Sequence, residues 1–208
     1  IEPGELKSIA DKLCPNANEI AKENKEYLTI LFKYVLWFTT NNVATRGHEE
    51  TEESEKQGNW LSFIKLQLET NPSFRQLHEN VTRSRTRSTD YTSKTSFNEF
   101  VTVVANSVRD MIYLDIANSG MYSVLIDESK DKGKKEELAP AVRYYSEKVV
   151  ERFIEIKHLS EFDAQTIAAH TKDLIELARQ HSNGSVVISL GADGASVMSG
   201  EYAGVGEI

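Results

Sequence analysis

Two aspartates, Asp127 and Asp193, each follow a short apolar stretch of the kind that forms a buried strand. The first stretch is Met121–Asp127 (MYSVLID), and the second opens the segment VVISLGADGASVMSG at residues 186–200. A carboxylate at the end of a buried strand is costly unless it is paired or binds a metal. If the two strands are neighbours in one sheet, the carboxylates meet, and Mg²⁺ or Mn²⁺ prefers such oxygen ligands. One hypothesis is therefore a divalent-metal site for phosphoryl transfer.

Each aspartate also has an ordinary structural interpretation. Asp127 precedes a charged stretch, where its carboxylate could cap a turn or a helix. Asp193 precedes Gly194, a pair that is typical of a β-turn. Glu128 is next to Asp127 and points to the opposite face of a strand, so we leave it out of the candidate ligands. From these residues alone, the structural interpretation of both aspartates is preferred.

The pattern from residue 121 onward predicts a mixed α/β core. A helix is predicted from Asp163 to about residue 180, with Ile167, Leu174, Leu177 and Ala178 on its apolar face. Strands are predicted at 121–127, 137–146, 148–158 and 186–190. An antiparallel meander, a helix and a parallel return strand make up the core of a ribonuclease-H-like fold, in which the first and last of these strands are adjacent. Pro140 argues against a central position for the second strand, or marks a bulge there.

The first half of the chain, residues 18–118, is predicted to be helical apart from one long polar loop. Apolar residues recur at helical spacing over 18–38 and from Trp60 to Leu68. A helical turn is expected over 74–81 and a loop over 82–95. Ser96–Glu99 has the pattern of a capping box ahead of a helix over 96–118. The predicted domains are a helical region, residues 1–118, and a ribonuclease-H-like core, residues 119–208.

Composition and charge argue against several functional classes. The chain has 24 basic and 32 acidic residues and a net charge of −8, whereas an autonomous nucleic-acid binder usually has a basic surplus. The longest apolar run is interrupted by Lys33 and is too short to span a bilayer, and no signal peptide is evident. Because Cys14 is the single cysteine, no internal disulfide can form. We therefore expect an intracellular protein that is neither secreted nor in a membrane.

Several segments, taken in order, resemble the catalytic domain of hAT-type transposases. The best-matching branch is the domain of unknown function in transposase-derived, zinc-finger MYM-type proteins. The shorter upstream matches are Arg46–His48, Gly58–Asn59, Tyr91–Ser93 and Asn98–Glu99, so the resemblance covers roughly residues 20–208. The longer segments are SVLIDESKD (123–131), LAPAVRYYS (138–146), VVERFIEI (149–156) and ADGASVMSGEYAGV (192–205).

The resemblance implies a nuclear, ribonuclease-H-like nuclease core that binds a divalent metal through an Asp, Asp, Glu set. When the family's motif is carried over to this sequence, its first two acids fall on Asp127 and Asp193. The resemblance implies that both residues are catalytic and bind the metal. In the family the third acid follows a long helical insertion, so we expect this chain to be a fragment that ends at Ile208 before it. The zinc-finger module that the family places upstream is likewise expected to be missing.

Three positions depart from the family pattern. Lys130, Ala192 and Val197 stand where the family usually has Thr, Tyr and Asn. The positive charge of Lys130 beside the proposed site is expected to weaken cation binding.

Three functions remain open from the sequence. The first is a transposase-derived fragment whose ancestral chemistry is DNA cleavage and transfer, inactive in this chain, with DNA as the partner of the full-length parent. The second is a domesticated, non-catalytic module that binds a protein, a nucleic acid or a second copy of itself. The third and weakest is a small-molecule enzyme whose loop at 191–200 cradles phosphate, although that loop lacks both GxGxxG and a P-loop lysine.

Overall fold

The computed structural model describes residues 17–47, 54, 57–83, 90–130, 136–159, 161 and 163–192. Cys14, His48, Asp193 and Val197, on which predictions were made, lie outside the described residues. Contacts divide the chain into two compact units, residues 1–104 and 105–208, which are described separately. The predicted domain boundary between residues 118 and 119 was based on the change from helices to strands, and this boundary stays a prediction.

The described regular structure of the first unit is helical, as predicted. Its helices are α1 (Ala17–Thr40), α2 (Asn59–Thr70), α3 (Pro72–Arg83) and the first part of α4 (Lys94–Ser119). One face of α1 is buried through residues spaced three or four apart, which places them on one side of a helix. These core residues are Tyr27, Leu31, Val35 and Phe38. They pack with the aromatic residues Trp60, Phe74, Phe97 and Phe100 in the core of this unit.

Two helix starts in the first unit differ from the prediction. Instead of one turn over 74–81, α3 has twelve residues, because the Asn71 side chain accepts a hydrogen bond from the Phe74 amide (3.1 Å) and Pro72 occupies the first helical position. The capping box assigned to Ser96 is wrong. α4 begins at Lys94, and the Ser93 hydroxyl accepts the Ser96 amide hydrogen (3.2 Å), so Ser93 is the N-cap.

The second unit contains the mixed sheet. Its elements after α4 are β1 (Met121–Lys130), β2 (Glu136–Ser146), β3 (Lys148–Phe153), β4 (Lys157–His158), α5 (Ala164–His181) and β5 (Val186–Ala192). The strand order is β3-β2-β1-β5, with β4 also paired to β2. β1 and β5 are parallel, whereas the other pairs are antiparallel. The prediction that the strands at 121–127 and 186–190 are adjacent and parallel is confirmed.

The core of this unit lies on one face of the sheet. Tyr122, Val124 and Ile126 of β1 are buried, since alternate residues of a strand point to the same face. They pack with Ile112 and Ile116 of α4 and with Ile167 and Leu174 of α5. Of the four residues predicted for the apolar face of α5, Ile167, Leu174 and Ala178 are buried, whereas Leu177 is exposed. Thr171, which was not predicted, is buried as well. Asp163 caps α5 as predicted, accepting the Thr166 amide hydrogen at 2.8 Å.

Pro140 lies on a central strand, so the first of the two alternatives drawn from the sequence, a position away from the centre of the sheet, is wrong. β2 runs between β1 on one side and β3 and β4 on the other. The predicted strand 148–158 is divided into β3 and β4, and the gap between them lies opposite Pro140, whose carbonyl accepts the Ile154 amide hydrogen (3.0 Å). The N and O atoms of a strand residue point to the same side, so the proline nitrogen faces this gap. Because proline has no N–H to donate, only the hydrogen-bond ladder between β2 and its outer neighbours β3 and β4 is interrupted.

In the described part of the chain, every helix is too short or too polar to cross a lipid bilayer.

Candidate metal site at the end of the central strands

The parallel pairing of β1 with β5 determines where the two aspartates enter the structure. The register runs from Met121 opposite Val186 to Ile126 opposite Ala192, with a shift between Tyr122 and Ser123. In the sequence, Asp127 and Asp193 directly follow the last of these pairs. Asp193 lies outside the described residues, so the structure places only Asp127.

Asp127 lies inside β1, opposite Ala139 of β2. The predicted strand end at Asp127 is wrong, because pairing with β2 continues to Lys130, opposite Glu136. Backbone pairing with a neighbouring strand here overrides the low strand propensity of charged residues. The interpretation of Asp127 as a turn or helix cap is therefore excluded. Its side chain is exposed, so its charge does not require a partner or a metal for the protein to fold.

The face of β1 that carries Asp127 is the one opposite the core. On that face, Glu137 of β2 occupies the position diagonal to Asp127, since it lies two residues before Ala139. His158 of β4 is paired directly with Glu137, and its Nδ1 lies 3.2 Å from the Glu137 Oε1. Sequence reasoning missed Glu137 and His158. No local signal marks them, because the pairing of β4 with β2 depends on the break after β3.

This set of side chains meets the needs of a divalent cation only in part. Carboxylate oxygens suit Mg²⁺ or Mn²⁺, so Asp127 is a suitable ligand type. Within the described ranges, however, no three His, Cys, Asp or Glu side chains are grouped closely enough to hold an ion. Glu137, the carboxylate at the diagonal position, is already engaged by His158. The described residues therefore supply one ligand, Asp127, and a complete site requires groups beyond them.

The short upstream motifs of the first unit meet in a structural junction. An added Cβ on Gly58 would lie 2.6 Å from the Gly47 nitrogen, so the backbone segments of these two motifs are in close approach. The Asn59 side chain donates to the Ala44 carbonyl (2.7 Å), and the Trp60 indole N–H donates to the Thr92 carbonyl (2.7 Å). These groups bond to backbone carbonyls, which indicates a role in holding the loops.

Sequence comparisons relate this chain to a protein family and to two curated proteins. The family described as ZMYM1/FAM200, RNase-like domain (DUF4371) matches residues 4–204. The human protein named 52 kDa repressor of the inhibitor of the protein kinase is 26% identical over 133 residues, which is 61% of this chain and 17% of that protein. The mouse protein of the same name is 25% identical over 130 residues, or 59% of this chain and 16% of that protein. The matched part thus spans about a sixth of these curated relatives.

The family match agrees with the fold. A helical region followed by a mixed sheet with parallel β1 and β5 is the ribonuclease-H-like arrangement predicted from the order of elements. The match also supports the resemblance to the transposase-derived, zinc-finger MYM-type branch. Because the match extends over nearly the whole sequence, this chain belongs to the ZMYM1/FAM200, RNase-like domain family.

Proposed function

We propose that this chain is the RNase-like domain of a protein derived from a hAT-type transposase, with metal-dependent DNA strand cleavage and transfer as its ancestral chemistry. The observation that carries the proposal is the parallel register that ends at Ile126 and Ala192, directly before Asp127 and Asp193. One Cα step is about 3.8 Å, and paired strands lie about 4.8 Å apart. These spacings support two carboxylates close enough to share a cation.

In this proposal Asp127 and Asp193 orient one divalent ion, Mg²⁺ or Mn²⁺, on the face of the sheet opposite the core. When bound, such an ion activates a water or hydroxyl oxygen and neutralises charge on a phosphodiester. The contribution of Asp127 is positional, because the ladder of β1 with β2 holds its backbone on both sides of the residue. A rigid strand fixes a ligand more accurately than a loop does.

We further propose that this 208-residue chain by itself neither cuts nor joins DNA. Two-metal phosphoryl transfer requires carboxylates for two ions about 3.5–4 Å apart. Two aspartates leave the second ion without a protein ligand, and the pairing of Glu137 with His158 supports the same conclusion. The net charge of −8 also gives no general attraction for a polyanion.

The activity, location and partners of the whole protein are part of the proposal, since the matched part is a small share of the relatives' length. We place that protein in the nucleus with DNA as its partner, as the family resemblance implies. The human and mouse relatives are named as repressors, which supports a regulatory role. A second candidate is a non-catalytic interaction module, and it is favoured by the exposed apolar side chains on the sheet.

Metal titration tests the site. Mn²⁺ is added to the wild type, Asp127→Asn and Asp193→Asn, and binding is followed by calorimetry and by paramagnetic broadening of NMR signals. The control is Asp173→Asn, which alters an exposed aspartate on α5. We expect weak binding that either site variant abolishes and the control retains. Equal binding by all four proteins contradicts the site.

Nicking of supercoiled DNA by the same proteins with Mg²⁺ or Mn²⁺ tests the proposed inactivity. We expect no nicking by any of them. Metal-dependent nicking by the wild type that is lost in both site variants would show that the chain is an active nuclease.

A further inference from the structure

The face of the sheet opposite the core is organised in rows that run across the strands. Because Tyr122, Val124 and Ile126 point into the core, the alternate residues of β1 lie on the opposite face. The strand registers then assign the neighbours of each of these residues on β2, β3 and β5. This opposite face is called the open face below.

One row of the open face is entirely apolar and crosses all four strands of the sheet path. Tyr145 is paired with Val149, and Met121 is paired with Val186. The β1–β2 register pairs Tyr122 with Tyr144, and its continuation by one residue places Met121 beside Tyr145. The apolar row therefore consists of Val149, Tyr145, Met121 and Val186, each between 53% and 65% exposed.

Two further apolar side chains lie near this row. Ile188 lies at the register shift on β5, two residues after Val186. Phe153 lies on the same face of β3 as Val149, with Glu151 between them. Both are more than half exposed. Single exposed apolar residues are ordinary on protein surfaces, whereas a contiguous apolar row across four strands is typical of an interaction surface.

The row next to the apolar row is polar but electrically balanced. It consists of Glu151, Arg143, Ser123 and Ser189, in register across the same strands. The Arg143 guanidinium forms an ion pair with Glu151, and the Ser189 hydroxyl donates to the Ser123 hydroxyl at 2.8 Å. The chain as a whole carries a charge of −8, but this part of the open face does not repel a second copy.

We propose that two copies of this chain associate through the apolar row. Read from β3 to β5 the row is Val, Tyr, Met, Val, with small residues at both ends and large ones in the centre. A two-fold arrangement that reverses one row against the other places Tyr145 of each copy on Met121 of its partner. Contacts between an aromatic ring and a thioether are favourable, so the row is complementary to itself.

The area of this surface indicates a weak dimer. The six side chains expose on the order of 100 Å² each, so two copies together would bury roughly 1,200 Å². That area is at the lower limit for specific interfaces, which is consistent with association in the micromolar range. The assembly is therefore expected to depend on protein concentration.

Sedimentation velocity of the full chain, up to about 500 µM, tests the proposal. The wild type is expected to shift from monomer to dimer as its concentration rises. Tyr145→Lys and Met121→Glu are each expected to weaken dimerisation about tenfold or more, since each places a charge in an apolar contact. Leu114→Lys is the control, because Leu114 on α4 is 61% exposed and lies outside the row. Circular dichroism spectra and Tm values of each variant test whether the fold is retained.

Mixing the two row variants separates this arrangement from other modes of association. In the proposed two-fold arrangement, the lysine introduced by Tyr145→Lys in one copy meets the glutamate introduced by Met121→Glu in the other. The second contact of the same heterodimer keeps the original Tyr145 and Met121 side chains. The mixture is therefore expected to form heterodimers more strongly than either variant forms homodimers. A wild type that stays monomeric, an association that only Leu114→Lys weakens, or a mixture without this gain would each overturn the proposal.

Discussion

Ile126 of β1 lies opposite Ala192 of β5 in a parallel register, and each of the two residues is followed in the sequence by an aspartate. The pair joins the first strand of the sheet to the last one described, with β2, β3, β4 and α5 between them along the chain. The candidate metal site depends on this register, because a shift by one residue would move one aspartate to the other face of its strand.

Engineered cysteines at Ser123 and Ser189 are expected to form a disulfide. These residues are paired in the register and their hydroxyl oxygens are 2.8 Å apart. Adjacent strands have the Cα separation that a disulfide requires. In a Cys14→Ser background, mild oxidation should cross-link Ser123→Cys with Ser189→Cys and raise the free energy of unfolding by about 2–4 kcal/mol.

The cross-link is measured by mass spectrometry and non-reducing electrophoresis after proteolysis. The matched control combines Ser123→Cys with Ile188→Cys, because Ile188 lies at the register shift of β5. Equally fast cross-linking of the control pair would contradict the register.

Gly58→Ala is expected to destabilise the first unit far more than Gly184→Ala destabilises the second. Both glycines have positive φ angles, 97° and 80°, which cost an alanine about 1–2 kcal/mol. A Cβ on Gly58 would also lie 2.7 Å from the Thr45 carbonyl oxygen, whereas a Cβ on Gly184 meets nothing within 4 Å. Backbone atoms cannot move aside as a flexible side chain can, so we expect a loss of about 3 kcal/mol or more for Gly58→Ala.

Urea unfolding separates these two effects. Both tryptophans, Trp37 and Trp60, lie in the first unit, so their fluorescence reports the effect of Gly58→Ala. Circular dichroism reports the effect of Gly184→Ala on the unfolding of the second unit. Similar losses for both variants would mean that the close approach at Gly58 does not exist.

Tyr144→Phe is expected to lower the stability of the second unit by about 1–2 kcal/mol at neutral pH. The buried Tyr144 hydroxyl donates to the Asp115 carboxylate at 2.9 Å. Burial, and then the hydrogen bond to Asp115, raise the pKa of Tyr144 above its ordinary value of 10.0. Because the folded-state pKa is raised, this contribution is present below pH 10.0 and is lost as the pH rises toward the folded-state value.

The difference between wild type and Tyr144→Phe should therefore shrink in urea unfolding curves as the pH rises above about 10. Tyr145→Phe is the matched control, since the neighbouring Tyr145 is exposed and points to the opposite face. A difference that stays constant from neutral to alkaline pH would contradict the assigned role of Tyr144.

The sequence by itself determined where most of the regular structure lies. Tyr27, Leu31 and Val35 identify α1 because burial on one side of a helix repeats every three or four residues. The apolar runs that became β1 and β5, and the capping of α5 by Asp163, were likewise local signals. The order of these elements was sufficient to predict the ribonuclease-H-like fold.

Only the tertiary structure decided the registers and what they bring together. β1 continues past Asp127 because β2 pairs with it there, and Pro140 is accommodated on a central strand because its outer partner is interrupted. The meeting of Glu137 with His158, and the apolar row that contains Tyr145 and Met121, also follow from pairing between distant segments. Spacing along the chain reports which side of an element is buried, but strand pairing is a long-range choice that no single segment encodes.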